Sequence, residues 1–283
     1  MLLMKATTPS DTTTVRYGIM DGFDTFEHGG WKGLACHEWN GRIDDLETWL
    51  ETHPGQQLVN RPTRTVRRVV ENGEEVYVKV VKSLDGGGNH LLSLWKCFKW
   101  RFLENRAMAT LAVMAAMQSA GVRCAGAVLA ARRTHGFSAE EVFISRGVPH
   151  PSVLKIMSDV TDNEKRMDIL HGVARGLCDF HCHGFIHGDC IPGNLLWDGE
   201  HVHFIDNDRT SRADGCLFQR GIRRNLVQFC FRLSWNVKNF DLAEHFLACY
   251  AEAMNEHGQT FDDSKAVMAK THQRYKLKEA EKG

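Results

Sequence analysis

Alternation of apolar and polar positions first becomes clear at Thr65–Val70 and Glu75–Val81, two Val-rich runs that flank Asn72-Gly73. The pair predicts a hairpin with a tight turn, because Gly accepts the positive φ that such turns require. In the second run Val76, Val78 and Val80 share one face, while Tyr77, Lys79 and Val81 share the other. Ala127–Ala131 and Glu141–Ser145 read as two further strands, ending in a hinge-like Ile144–Gly147. Helical spacing dominates elsewhere. A long pattern runs from about Leu91 to Ala120, with Phe102, Ala109, Val113 and Met117 broadly on one face and Gly121 as a cap. From Asn163 to His183, apolar residues from Met167 to Phe180 recur at three- and four-residue steps, with His181 on the same face. Ile222–Trp235 and Phe240–Ala253 are amphipathic, and Ile43–Leu50 is a short helix stopped by Pro54-Gly55. A second short hairpin, Asn194–Trp197 and His201–Ile205, is joined around Asp198-Gly199. Strands first and helices afterwards predict an α+β chain, its halves separated near Gly147–Pro151.

Composition narrows the function. With 35 basic and 35 acidic residues the formal net charge is zero, which argues against a general nucleic-acid binder. Nine cysteines are an odd number and contain no Cys-x-x-Cys pair, and Met1–Lys5 is too short an apolar start for a secretory signal. Reduced thiols in a cytoplasmic protein are expected. No run reaches the roughly 20 apolar residues of a membrane span. From Lys265 onward six Lys or Arg stand against two Glu, a basic tail suited to a solvated helix or to contact with an anionic membrane surface.

The chemistry concentrates in His187–Asp208. The sequence His187-Gly188-Asp189-Cys190-Ile191-Pro192-Gly193-Asn194 leads into the short hairpin, which ends in Ile205-Asp206-Asn207-Asp208. Phosphoryl transfer needs a carboxylate near the attacking hydroxyl and oxygen ligands for a hard cation. Asp189 suits the first role; Asn194 and Asp206, carried to one end of the hairpin, suit the second. Lys79, on an otherwise apolar strand, is either a solvent-facing residue or, by resemblance to the small lobe of the protein-kinase-like phosphotransferases, a candidate for the nucleotide phosphates; the same resemblance makes Glu104 in the following helix its candidate partner instead of a solvated residue, with Asp85 an alternative. Cys178, His181, Cys182, His183, His187 and Cys190 have metal-ligating side chains but are scattered around a helix end, not set in two knuckles. His181 reads instead as a buried brace and His187 as scaffold of the loop. Arg223 and Arg224 could meet an anionic acceptor or pair with acids.

Taken together, Lys79, Glu104, the His187–Asn194 loop and Asp206 resemble the protein-kinase-like phosphotransferases over roughly residues 58 to 235. Within that superfamily, Val76-Tyr77-Val78-Lys79, the Glu104 helix ending in Gly121-Val122, the His181–Asp189 run and Phe204-Ile205-Asp206 look like the lipopolysaccharide core heptose/Kdo kinases. The resemblance implies a bilobal fold, with a small β-rich N-lobe (56–147) and a larger helical C-lobe (148–283). Residues 1–55 would be an extension packing on the small lobe. It also implies ATP, Mg²⁺ and a sugar hydroxyl of the lipopolysaccharide inner core as acceptor, near the inner face of the cytoplasmic membrane. Oligomeric state and the identity of the sugar are not implied. The chain departs from the pattern in three places: Arg61-Pro62-Thr63-Arg64-Thr65 stands where a glycine-rich phosphate loop belongs, Asn207-Asp208, not Phe-Gly, follows Asp206, and Cys190-Ile191 replaces the commoner Leu-polar pair after Asp189. A protein kinase would close its activation segment with Ala-Pro-Glu, and no proline follows Pro192. Small-molecule kinases of the aminoglycoside or choline type share His-Gly-Asp and Pro-Gly-Asn. A pseudokinase-like nucleotide-binding module is the alternative from outside the enzymes.

Overall fold

The structure, a computed structural model, describes residues 20–43, 45–82, 105–135 and 138–282. Seven antiparallel strands form its first half: β1 (Phe23–His28), β2 (Trp31–Cys36), β3 (Gln56–Arg61), β4 (Arg64–Glu71), β5 (Glu74–Lys82), β6 (Ala127–His135) and β7 (Ser138–Arg146). Their order across the sheet is β1-β2-β6-β7-β5-β4-β3. The predicted β4–β5 hairpin forms, with Asn72 at φ 51° and Gly73 at φ 80°, the two positive values its turn needs.

Phe23–Cys36, within the 1–55 segment expected as an extension packing on the small lobe, supply two of the sheet's strands, because β2 pairs directly with β6. The same segment also contributes α1 (Leu46–Thr52), whose N-cap Asp45 accepts from the Glu47 N–H. Trp31, Trp39, Leu46 and Trp49 cover the outer sheet face, against Val76, Val78, Val128 and Ile144. The opposite face packs on α2 (Arg106–Ser119): Ala107, Met108, Leu111 and Met114 meet Leu34, Ala130 and Phe143. The buried carboxylate of Glu141, on β7, fixes the start of α2 by accepting from the Arg106 and Ala107 N–H groups at 3.1 and 3.2 Å. Burial raises the pKa of that carboxyl, with Arg132 opposing. The helix pattern predicted from Leu91 lies outside the described residues until Asn105.

The second half is helical: α3 (Val153–Asp159), α4 (Asn163–Cys182), α5 (Gly215–Val237), α6 (Asp241–Glu256) and α7 (Ser264–Ala280). Leu170, Val173, Leu177 and Phe180 of α4 share one core with Leu226 and Phe229 of α5 and Phe246 and Tyr250 of α6. Two short strand pairs lie on the cleft side of this lobe. β9 (Leu195–Trp197) pairs with β10 (Val202–Phe204), and β8 (Phe185–Ile186) pairs with β11 (Ser211–Arg212). Backbone bonds from Phe204 N–H to Arg123 O, 3.0 Å, and from Trp197 N–H to Pro151 O, 3.0 Å, fasten the β9–β10 hairpin to the segments that leave the small lobe. No helix of the described residues is long and apolar enough to cross a membrane.

Candidate active site

Lys79 projects from β5 opposite Phe143 of β7, on the sheet face that looks across to the helical half. Its ammonium meets Asp206 Oδ1 at 3.3 Å and forms a closer ion pair with Asp208. The Lys79 side chain is only 12% exposed, so burial lowers its pKa while Asp206 pulls it back up. Glu104, the expected partner, lies outside the described residues. The two carboxylates that close on Lys79 come from the other lobe, and Asp208 had no role assigned from sequence.

Asp206 follows β10 with φ 54° and ψ 51°, left-handed values that a non-glycine residue adopts at a cost of about 1 kcal/mol or more. The next residue holds that turn. Buried Asn207 donates from Nδ2 to Phe204 O at 3.0 Å and accepts at Oδ1 from the Thr210 hydroxyl at 3.2 Å. In place of a phenylalanine, the chain uses a buried amide to lock the bend.

The Asp189 loop is braced from below. His187 is fully buried; its Nε2–H donates to Ile205 O at 3.0 Å, and its Nδ1 accepts the Asp189 N–H at 3.0 Å. Both partners have fixed roles, so the ring is the neutral Nε2–H tautomer, consistent with burial lowering its pKa. It links the backbone at Asp189 to the residue before Asp206. Asn225 of α5 holds His187 in turn, accepting its N–H at 2.9 Å and donating to its carbonyl at 2.6 Å. His181 completes the brace. Its Nε2–H donates to Asn225 Oδ1 at 3.1 Å and its Nδ1 accepts from the Tyr250 hydroxyl at 2.8 Å. Both histidines therefore have the supporting roles read from sequence. Asn225 was missed, although a lone amide between Ile222 and Leu226 on an apolar helix face is a visible signal.

Gly188 explains the His-Gly-Asp pattern. A Cβ at this position would overlap Arg209 and lie 2.7 Å from its Cα, so only glycine lets the Asp189 loop approach the turn after Asp206. Asn194 donates from Nδ2 to Asp189 O at 2.9 Å, a bond that does not use its Oδ1. Its carbonyl accepts the Ile205 N–H at 3.0 Å. Asn194 and Asp206 are thus fastened to each other through the backbone.

Asp189, Asp206, Asp208, Lys79 and Arg64 line one cleft of about 650 Å³. Arg64 follows the two-residue Pro62-Thr63 turn that replaces a glycine-rich loop, and its guanidinium lies 3.7 Å from Asp206. An adjoining pocket of about 350 Å³ shares Lys79, Arg64 and Asp206 and has apolar walls from Leu58, Val66, Val148, Leu196 and Ile205. An apolar slot opening onto a charged chamber accommodates a planar base joined to phosphates. Arg223 pairs with Asp263, and Arg224 donates to His187 O at 3.3 Å.

The profile of the lipopolysaccharide kinase (Kdo/WaaP) family matches residues 43–250. The chain belongs to that family. No curated protein matches the chain. A solved structure described as WaaP in complex with acyl carrier protein is similar in fold, with a TM-score of 0.56 at 18% identity, covering 85% of this chain and 94% of that one. This lipopolysaccharide kinase accordingly has the bilobal kinase-like architecture that its motifs predicted, and it phosphorylates sugars of the lipopolysaccharide core. Membership in a kinase family implies ATP as the phosphate donor.

Proposed function

We propose that the chain transfers the γ-phosphate of ATP, as its Mg²⁺ complex, to a hydroxyl of an inner-core sugar, heptose or Kdo, at the Asp189 cleft. The observation that carries this reading is the convergence of Asp189, Lys79, Asp206 and Asp208 on one chamber beside an apolar slot. The slot would take adenine. Lys79, released from Asp208 when phosphates enter, would hold their charge, with Arg64 closing over them from the β3–β4 turn. Glu104 remains the candidate second partner of Lys79.

Asn194 Oδ1 and the carboxylates of Asp206 and Asp208 are hard oxygen donors of the kind Mg²⁺ prefers, so the donor set fits the ion. Bound there, Mg²⁺ would offset phosphate charge and orient the γ-phosphoryl group. Asp189 would orient the sugar hydroxyl and accept its proton as the new P–O bond forms and the bond to ADP breaks.

A basic, aromatic surface supports contact with the membrane that carries this acceptor. Lys238, Lys278 and Lys282 surround the Trp235 ring at 4.0, 4.8 and 4.6 Å, and Leu277 nearby in α7 is 60% exposed.

The test is transfer of labelled γ-phosphate from MgATP to dephosphorylated core lipopolysaccharide, run beside a panel of small alcohols and aminoglycosides. Label in the lipopolysaccharide is expected. Label confined to the small acceptors would move the substrate, and ATP binding with no transfer to any acceptor would favour a nucleotide-binding module.

A further inference from the structure

Cys178 and Cys182 lie one turn apart on α4, facing the same side, with their sulfurs 3.8 Å apart. Two thiolates bound to one tetrahedral ion at about 2.3 Å each stand roughly 3.8 Å from one another, so the helix already presents the pair at the required spacing. His257, at the C-cap of α6, brings a ring nitrogen within 4.8 Å of both sulfurs. The histidine is far away in sequence and arrives only through the packing of α6 on α4. Asp179, beside Cys178, bonds His257 Nε2 through Oδ1 at 2.9 Å. A carboxylate next to a ligating imidazole is the usual outer partner of a metal-bound histidine. The other histidines around this helix end are engaged elsewhere: His181 with Tyr250 and Asn225, His183 with the Asp179 carbonyl, His187 with Ile205 and the Asp189 N–H.

We propose that Cys178, Cys182 and His257 form a zinc site, with water as the fourth ligand. Two sulfurs and a nitrogen favour a borderline-soft ion over Mg²⁺, which sets this site apart from the oxygen donors of the cleft. Zinc here ties the C-terminal turn of α4 to the end of α6. Because α4 runs directly into the segment that carries His187 and Asp189, the ion anchors the back of the catalytic lobe and takes no part in the reaction.

Co²⁺ serves as the probe. The full chain, stripped of metal by a chelator under reducing conditions, is titrated with Co²⁺ and followed by its thiolate-to-cobalt absorption. One equivalent should bind, with Zn²⁺ displacing it. Cys182→Ser should remove most of the thiolate band. His257→Ala changes a residue outside the core, so it should fold normally, yet lower Co²⁺ affinity on the order of tenfold or more. Cys216→Ser, at an exposed thiol, should bind like the parent chain. Zn²⁺ should raise the melting temperature of the parent and, at the same concentration, raise that of His257→Ala by less. Absence of a thiolate band, or parental affinity in His257→Ala, would overturn the site. Neither readout depends on kinase activity.

Discussion

Asp206 and Asp208 are two residues apart yet differ in what surrounds them. Asp206 sits in the left-handed bend held by Asn207 and lies next to Arg64 and Lys79. Asp208 makes the closer approach to Lys79. With Asp206 as the principal cation ligand and Asp208 as a guide for Lys79, Asp206→Ala should abolish the Mg²⁺ dependence of ATP binding. Asp208→Asn should keep that dependence and weaken affinity about tenfold, roughly 1.4 kcal/mol. Calorimetric titrations with and without Mg²⁺ separate the two, and equal effects would merge their roles. Lys79, Asp189, Asn194 and Asp206 were legible in the sequence because the last three fall within one short stretch, and Lys79 interrupts an apolar strand. Asp208 was visible but unassigned, since its partner comes from β5 and only the closure of the lobes brings the two together.

The elements that carry these residues are held by buried polar contacts. Gly188→Ala would force the Asp189 loop away from Arg209, so it should destabilise the fold by about 2 kcal/mol and cut turnover by more than tenfold even in the folded fraction. Urea denaturation with a turnover assay on the folded protein checks both effects. His181 gives the helical lobe a pH signature. Burial lowers its pKa from 6.5 to about 4, so the unfolded chain takes up a proton there before the folded one does. Its contribution to stability is therefore complete above about pH 6.5 and is lost as the pH falls towards 4, amounting to about 3 kcal/mol. The lowered pKa of His187 acts in the same direction. Denaturation midpoints measured across that range should fall less steeply in His181→Gln than in the parent; identical slopes would remove His181 from the account. Among the strands that escaped the sequence reading, which include the short β3, β8 and β11, are β1 and β2. Only Phe26 of β1 is buried, and β2 buries Gly33, Leu34 and Ala35 in succession, so neither shows a clean two-residue alternation.

Across the whole molecule, one sheet carries Lys79 and one helical core carries Asp189, Asn194, Asp206 and Asp208, and the lobes meet through ion pairs on Lys79 and Arg64. The two-lobed division was readable from strands giving way to helices. The membership of β1 and β2 in the sheet was not, because it depends on pairing between β2 and β6, distant in sequence. On the outer surface, the lysines around Trp235 predict binding to anionic vesicles. Lys238→Glu with Lys278→Glu should reduce cosedimentation at least tenfold at moderate salt, taking about 1 kcal/mol for each basic residue, with parental binding itself falling as salt rises. Unchanged cosedimentation would assign the patch to intramolecular packing alone. The measurement closest to the central claim is phosphate transfer by Asp189→Asn compared with its affinity for MgATP. A near-parental affinity and fold, with turnover reduced by on the order of a hundredfold or more, is the predicted result. Turnover at the parental rate would contradict the assignment of the hydroxyl-activating carboxylate and, with it, the catalytic reading of this cleft.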